Sequence, residues 1–262
     1  MISYEKENYI IGAIAGDVIG SVYERHNVKR TDFTLFSKHS RFTDDSVLTF
    51  ATMDCLLNKK DYAETYHKYG NEYPNAGYGR AFKGWLHSAD LKPFNSWGNG
   101  SAMRVSPVGW ACNTLEEVLD QAKASAAVTH DHPEGIKGAQ AVVSSVFMAR
   151  NNKSKDEIKT YLTEAFGYDL NRTIDELRPV YKFDVSCQGS VPEAIIAFLE
   201  STDYENAIRL AISIGGDSDT IACIAGGIAE AYYKSVPEHI VNNVLERVPP
   251  NFIMLLESFP KS

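Results

Sequence analysis

Residues 215–231 read GGDSDTIACIAGGIAEA. Beyond Asp219 the run is almost wholly Ile, Ala and Gly, with Thr220, Cys223 and Glu230 the exceptions. A helix that is apolar and small on every side has no polar face to give to water. It therefore predicts a deeply buried and closely packed helix. An acidic cluster, Asp217-Ser218-Asp219-Thr220, stands at the mouth of that helix. A second mouth of the same kind lies far upstream at Thr43-Asp44-Asp45-Ser46, ahead of Val47, Leu48, Ala51 and Leu56 at helical spacing. A Thr followed by acids is a good helix start, because its hydroxyl caps free N–H groups and the acids suit the positive end.

Outward from these two mouths the periodicity stays helical almost everywhere. Ile10, Ile11, Ile14, Val18 and Ile19 predict a first buried helix broken by glycines at its far end. Residues 115–128 predict another, with Thr114 and Glu117 at capping-box spacing. Further helices are predicted over 135–150, 155–166, 192–199, 204–213, 219–233 and 237–246, with Pro192 and Pro237 in first turns, where proline is tolerated. Period-two alternation is hardly visible. The expectation from the pattern is a mostly α chain with few or no strands, one domain over residues 1–262 without linker or low-complexity segment.

The whole-chain counts narrow the function classes. A length of 262 residues suggests one or two domains and a core that needs no staple. There are 26 basic against 34 acidic residues, a formal charge of −8, and no Lys/Arg run, so direct nucleic-acid binding lacks its electrostatic footprint. The four cysteines, Cys55, Cys112, Cys187 and Cys223, form no CxxC pair and read as reduced core residues. The N-terminal stretch MISYEKENYI is charged where a signal peptide would be apolar, and no run is long enough to span a membrane. A soluble, cytoplasmic, monomeric protein without membrane contact is expected.

The chemistry is concentrated in the acids. Two acidic clusters at the mouths of buried helices would bring like charges into a partly desolvated place, which is costly or raises their pKa values unless something positive lies between them. Two readings are open on composition alone. The acids either complement helix dipoles, or they hold hard divalent cations, Mg²⁺ before Ca²⁺ or Mn²⁺ and not Zn²⁺. The two clusters carry enough oxygens for a pair of ions roughly 3.5–4 Å apart. The segment Ser96-Trp97-Gly98-Asn99-Gly100-Ser101-Ala102-Met103-Arg104 reads either as a plain turn or as small residues that let backbone N–H groups approach an anion. Thr129-His130-Asp131-His132 has no further Cys or His at zinc-ligand spacing, so its histidines read as hydrogen-bonding groups. No GxSxG elbow is present, and no cysteine has a His partner in sequence.

In order, GAIAGDVIGSVYE (residues 12–24), FTDDS (42–46), WGNGSAMRVSPVG (97–109), THDHPEGIKGAQAV (129–142) and GGDSDTIACIAGGIAEA (215–231) resemble the ADP-ribosylglycohydrolase family. The resemblance runs over nearly the whole chain. It implies an all-helical fold with a binuclear Mg²⁺ cleft, Mn²⁺ being the natural substitute. Carried over position by position, it makes Thr43, Asp44, Asp45, Asp217, Asp219 and Thr220 the metal ligands. Gly98, Asn99, Gly100, Ser101, Met103 and His130 would line the ADP-ribose site. Glu24 matches a glutamate on a mobile flap, and Glu24 and Asp217 are the expected proton-handling carboxylates.

The reaction implied is hydrolysis of the bond between ADP-ribose and a modified side chain or small-molecule acceptor, with an oxocarbenium-like transition state. In arginine-directed members an acid is expected ahead of the Gly-Asn-Gly motif; Tyr73-Pro74-Asn75-Ala76-Gly77-Tyr78-Gly79 has none. Arginine, serine and small-molecule linkages stay open. The competing classes are a catalytically silent ADP-ribose-binding or crystallin-like protein of the same fold, and a Mg²⁺ phosphohydrolase acting on nucleotides.

Overall fold

The computed structural model describes residues 10–259. Fifteen helices follow one another among them. The first eight are α1 (Gly12–Gly20), α2 (Asp44–Asn58), α3 (Tyr62–Glu72), α4 (Arg80–Leu86), α5 (Gly100–Met103), α6 (Ser106–Ala111), α7 (Leu115–Ala127) and α8 (Pro133–Arg150). The remainder are α9 (Lys155–Phe166), α10 (Ile174–Val180), α11 (Cys187–Glu200), α12 (Tyr204–Ile214), α13 (Ser218–Tyr233), α14 (Glu238–Leu245) and α15 (Pro250–Ser258). The described residues form no strand, only an isolated bridge between Gly98 and Ser186. No helix of these residues is long and apolar enough to cross a membrane.

The all-Ile/Ala/Gly run is the axis of the fold. Every residue of α13 from Ser218 to Ala231 is buried, and α1, α8, α11 and α12 all pack on it. Helix α1 runs antiparallel to it, with Gly12 beside Gly226 and Glu230, Gly16 beside Ala222, and Gly20 beside Asp219. Small residues set the distance between the two backbones. A Cβ on Gly16 would fall 2.0 Å from the carbonyl oxygen of Ala222, and one on Gly226 would fall 2.3 Å from that of Gly12. Close approach brings the C-terminal end of α1 level with the N-terminal end of α13, where the site lies.

Local signals account for most helix starts. Thr43 is the N-cap of α2 and accepts from the Asp45 N–H, and Thr114 and Glu117 form the capping box of α7. Two prolines depart from expectation. Pro192 lies inside α11, because Ser186 starts that helix earlier by accepting from the Gly189 N–H. Pro237 is the N-cap of α14 rather than a residue of its first turn. The periodicity reading passed over α3, α4, α5, α6, α10 and α15. Several of these are a turn or two long, and α3 mixes tyrosines with charged residues, so its buried stripe of Thr65, Tyr66 and Tyr69 reads as polar.

Candidate functional site

Asp17, in the C-terminal half of α1, organises the floor from below. Its Oδ1 accepts the Thr43 hydroxyl at 2.6 Å, and its Oδ2 accepts the N–H groups of Thr43 at 2.8 Å and Ser46 at 3.1 Å, together with the Ser46 hydroxyl. Asp17 thus caps the first turn of α2 from another helix, satisfying N–H groups that have no intrahelical partner. On the other side, the Asp44 N–H donates to Ala76 at 3.0 Å. From α13 come Asp217, the N-cap residue, and Asp219. The Asp217 Oδ2 accepts from the Asn99 amide at 2.7 Å, and Asp219 Oδ1 accepts from the Thr220 N–H at 3.1 Å.

Five carboxylates therefore converge, and each is pushed above its usual pKa of 3.8. Burial is the largest cause for all of them. The neighbouring acids add to it. Asp44 is raised to about 8 by burial, then by Asp17, Asp217 and Glu24. Asp45 is raised by burial, then by Asp17, Asp44 and Asp217, and Asp219 by burial, then by Asp45, Asp217, Asp17 and Glu24. No ion pair among the described residues involves any of the five. Asp45 Oδ1 is buried with no hydrogen-bond partner, a vacancy that ordinarily costs about 1–3 kcal/mol or more for a charged group.

Those observations fit a cation. One oxygen from each of Asp17, Asp45 and Asp219 lies within 4.8 Å of the other two, a spacing that can hold a metal ion. The donors are all oxygen, which suits a hard divalent cation.

Above the floor is a cavity of about 440 Å³. Thr43, Asp44, Asp45, Asp217, Asp219, Thr220, Glu24, Gly98, Asn99, Gly100, Met103 and His130 all line it. Ser101 does not. It is fully buried and donates to the Gly135 carbonyl at 2.8 Å, tying α5 to α8. The 98–100 turn is pinned to the start of α11 by Asn99 N–H to Val185 O at 2.8 Å and Cys187 N–H to Trp97 O at 2.9 Å. His130 stands against this turn, and Phe94, Phe183 and Val185 supply an apolar wall. Arg25, Arg41 and Arg80 also line the cavity.

Asp17 escaped the sequence reading, although its segment was recognised. Its signal was an acid alone inside the apolar run AIAGDVIG, where only a firm set of donors could hold it.

A helical fold whose small-residue helix pair opens onto a carboxylate floor defines a class with sequence as well as shape. The chain belongs to the ADP-ribosylglycohydrolase family, whose profile matches residues 8–257, and so it is a glycohydrolase. ADP-ribosylhydrolase ARH3 of Homo sapiens is 29% identical to it over 315 residues, covering 87% of this chain and 86% of that one. ADP-ribosylhydrolase ARH3 of Gallus gallus is 28% identical over 338 residues, covering 97% and 89%. A solved structure, an ADP-ribosylglycohydrolase-related protein complex, shares the fold with a TM-score of 0.71 at 20% identity, over 97% of this chain and 98% of that one.

Proposed function

We propose that this protein is a Mg²⁺-dependent ADP-ribosylhydrolase that cleaves the glycosidic bond between ADP-ribose and an uncharged hydroxyl acceptor such as a modified serine, releasing ADP-ribose. The observation that carries the reading is a set of buried and half-buried carboxylates directly beside the glycine turn, each raised by burial and none in an ion pair among the described residues. In this reading Thr43, Asp44, Asp45, Asp217, Asp219 and Thr220 hold two Mg²⁺ ions, or Mn²⁺ in their place. Asp17 already accepts four hydrogen bonds, so it serves as the anchor that orients Thr43 and the first turn of α2. The ions would supply positive charge for the distal ribose hydroxyls and for water.

The chain's own groups divide the remaining work. The Gly98–Gly100 turn lets a diphosphate approach the backbone, and Phe94, Phe183 and Val185 suit the face of adenine. Glu24, on the turn after α1, is half-buried beside the floor. It lines the cavity, where its carboxylate would pass a proton between water and the leaving hydroxyl. Asp217 is held by Asn99 and offers a fixed negative charge near an oxocarbenium-like centre.

The acceptor preference rests on charge. Ala76 and Gly77 border Asp44, and the same cavity is lined by Arg25, Arg41 and Arg80, none in an ion pair among the described residues. Arg41 and Ala76 also open onto a shallower cavity of about 330 Å³ that contains one acid, Glu72. A cationic guanidinium leaving group would be repelled by these three guanidinium groups, and a neutral hydroxyl would not. The test is release of free ADP-ribose, identified by mass spectrometry, from serine-linked, arginine-linked and small-molecule conjugates with Mg²⁺ and with EDTA. Mg²⁺-dependent release from the serine conjugate, at least tenfold faster than from arginine, is the expected result. Binding without release would favour a silent ADP-ribose-binding protein, and release of inorganic phosphate would favour a phosphohydrolase.

A further inference from the structure

Arg104 is the largest fully buried side chain described, 0% exposed, and it has no carboxylate partner. Its guanidinium lies 4.2 Å from the centre of the Tyr66 ring. Nη2 donates to the Ser125 carbonyl at 2.6 Å and to the Thr129 hydroxyl at 3.0 Å, while Nε and Nη1 have no hydrogen-bond partner. An unneutralised buried cation is expensive, so its surroundings repay a close count of protons.

Each hydroxyl has one hydrogen to give. Thr52 donates to the Leu48 carbonyl at 2.9 Å, so Tyr66 must donate to Thr52 at 2.8 Å, and Ser125 to Tyr66 at 2.7 Å. The same count settles Thr129. Arg104 can only donate, so the Thr129 oxygen accepts there. Its own hydrogen then has one acceptor, His130 Nδ1 at 2.7 Å. The opposite arrangement, Nδ1–H to Thr129, would leave a fully buried hydroxyl hydrogen with nowhere to go.

Nδ1 is therefore an acceptor. Burial, and then the charge of Arg104, hold the His130 pKa well below its usual value, so the ring is neutral with its one proton on Nε2. Among the described residues Nε2 has no hydrogen-bond partner, and it faces the glycine turn. A Cβ on Gly100 would lie 3.1 Å from it, and one on Gly98 3.6 Å.

We propose that Thr129 and Arg104 are positioning residues that lock His130 as the Nε2–H tautomer, so that it can only donate a hydrogen bond to a ligand oxygen lying against Gly98–Gly100. With the ADP-ribose reading, on which this assignment of the ligand rests, that oxygen belongs to the diphosphate or its attached ribose. The lock rejects a ligand that presents a donor at the same point, because two N–H groups would then face each other.

Nitrogen-15 NMR of the His130 ring in the full-length Mg²⁺-loaded protein tests the lock, alongside titration with ADP-ribose. The wild type should show the Nε2–H tautomer alone. Thr129→Val should give a mixture or the Nδ1–H form and bind ADP-ribose roughly tenfold more weakly, with Mg²⁺ affinity unchanged. Thr129→Ser should restore both the spectrum and the affinity. A wild-type ring carrying its proton on Nδ1, or a Thr129→Val protein with unaltered tautomer and affinity, overturns the proposal. If Thr129→Val does not fold, the wild-type and Thr129→Ser spectra decide it alone. A wild type that binds no ADP-ribose would refute the functional reading, while the ring spectrum would still decide the lock.

Discussion

The pair α1 and α13 buries acids at both ends, and the two ends treat them oppositely. At the α1 N-terminus, Glu230 of α13 accepts the Gly12 N–H at 2.7 Å and the Ile11 N–H at 3.3 Å. One carboxylate meets the positive end of one helix, and the charge is answered within the protein. At the other end Asp17, Asp45, Asp217 and Asp219 crowd together with Asp44, and the protein answers only part of their charge. The first turn of α2 and two hydroxyls reach Asp17, and the Asn99 amide reaches Asp217, but Asp45 Oδ1 is left bare. A buried acid that is fully answered is a structural device; a group of buried acids that answer one another badly is a place prepared for something positive.

The sharpest way to break this contrast is to remove charge from the crowded end. Asp44→Ala combined with Asp219→Ala should lower turnover at least a thousandfold, about 4 kcal/mol of transition-state stabilisation, and should raise the melting temperature of the metal-free protein by removing repulsion. Turnover that persists in EDTA would show that no divalent cation belongs there.

Titration gives a milder version of the same test. In the metal-free protein Asp44 binds its proton up to about pH 8 when folded, and only to its usual 3.8 when unfolded. Between those values the folded state holds more protons than the unfolded one, so stability falls as pH rises. In EDTA the melting temperature should therefore decline from pH 5 to pH 8, and saturating Mg²⁺ should flatten or reverse that slope. At a hundredfold excess over its dissociation constant the ion would add about 2.7 kcal/mol. A melting temperature indifferent to both pH and Mg²⁺ would make the crowded end no different from the other.

Much of this was legible in the chain itself, for identifiable reasons. An Ile/Ala/Gly helix can only be buried, so residues 219–233 announced the axis. Thr43 and Thr114 announced helix starts because capping is local chemistry. What needed the fold was everything that depends on distant partners. Asp17 went unremarked within an apolar helix, because its partners Thr43 and Ser46 are brought to it only by the fold. Ser101 sits within the glycine motif, yet its hydroxyl is turned to Gly135. Arg25, Arg41 and Arg80 are scattered along the sequence and meet only around the cavity.

The answered end makes the opposite prediction. Glu230→Gln keeps the shape but loses the charge, and its amide can accept from only one of the two N–H groups while its own donors face the other. A loss of about 2 kcal/mol is expected, a drop of roughly 4–8 °C in a protein of this size. Because Glu230 is far from the cavity, kcat of the folded fraction should not change. A large loss of turnover at constant folded fraction would mean that the helix pair transmits strain from one end to the other.

The smallest effect is expected at the boundary between the answered and the unanswered charge. Asn99 donates to Asp217 at 2.7 Å and to Ser190 at 3.1 Å, so it both steadies an acid of the floor and fixes the glycine turn. Asn99→Ala removes a hydrogen bond to a charged group and leaves the Ser190 hydroxyl its two carbonyl contacts, at Asp184 and Ser186. ADP-ribose should bind roughly tenfold more weakly, about 1.4 kcal/mol, while Mg²⁺ titration stays close to wild type. Loss of the metal instead would mean that the amide holds Asp217 in place for the ion, and the floor would then owe its geometry to the glycine turn as well as to its two helix mouths.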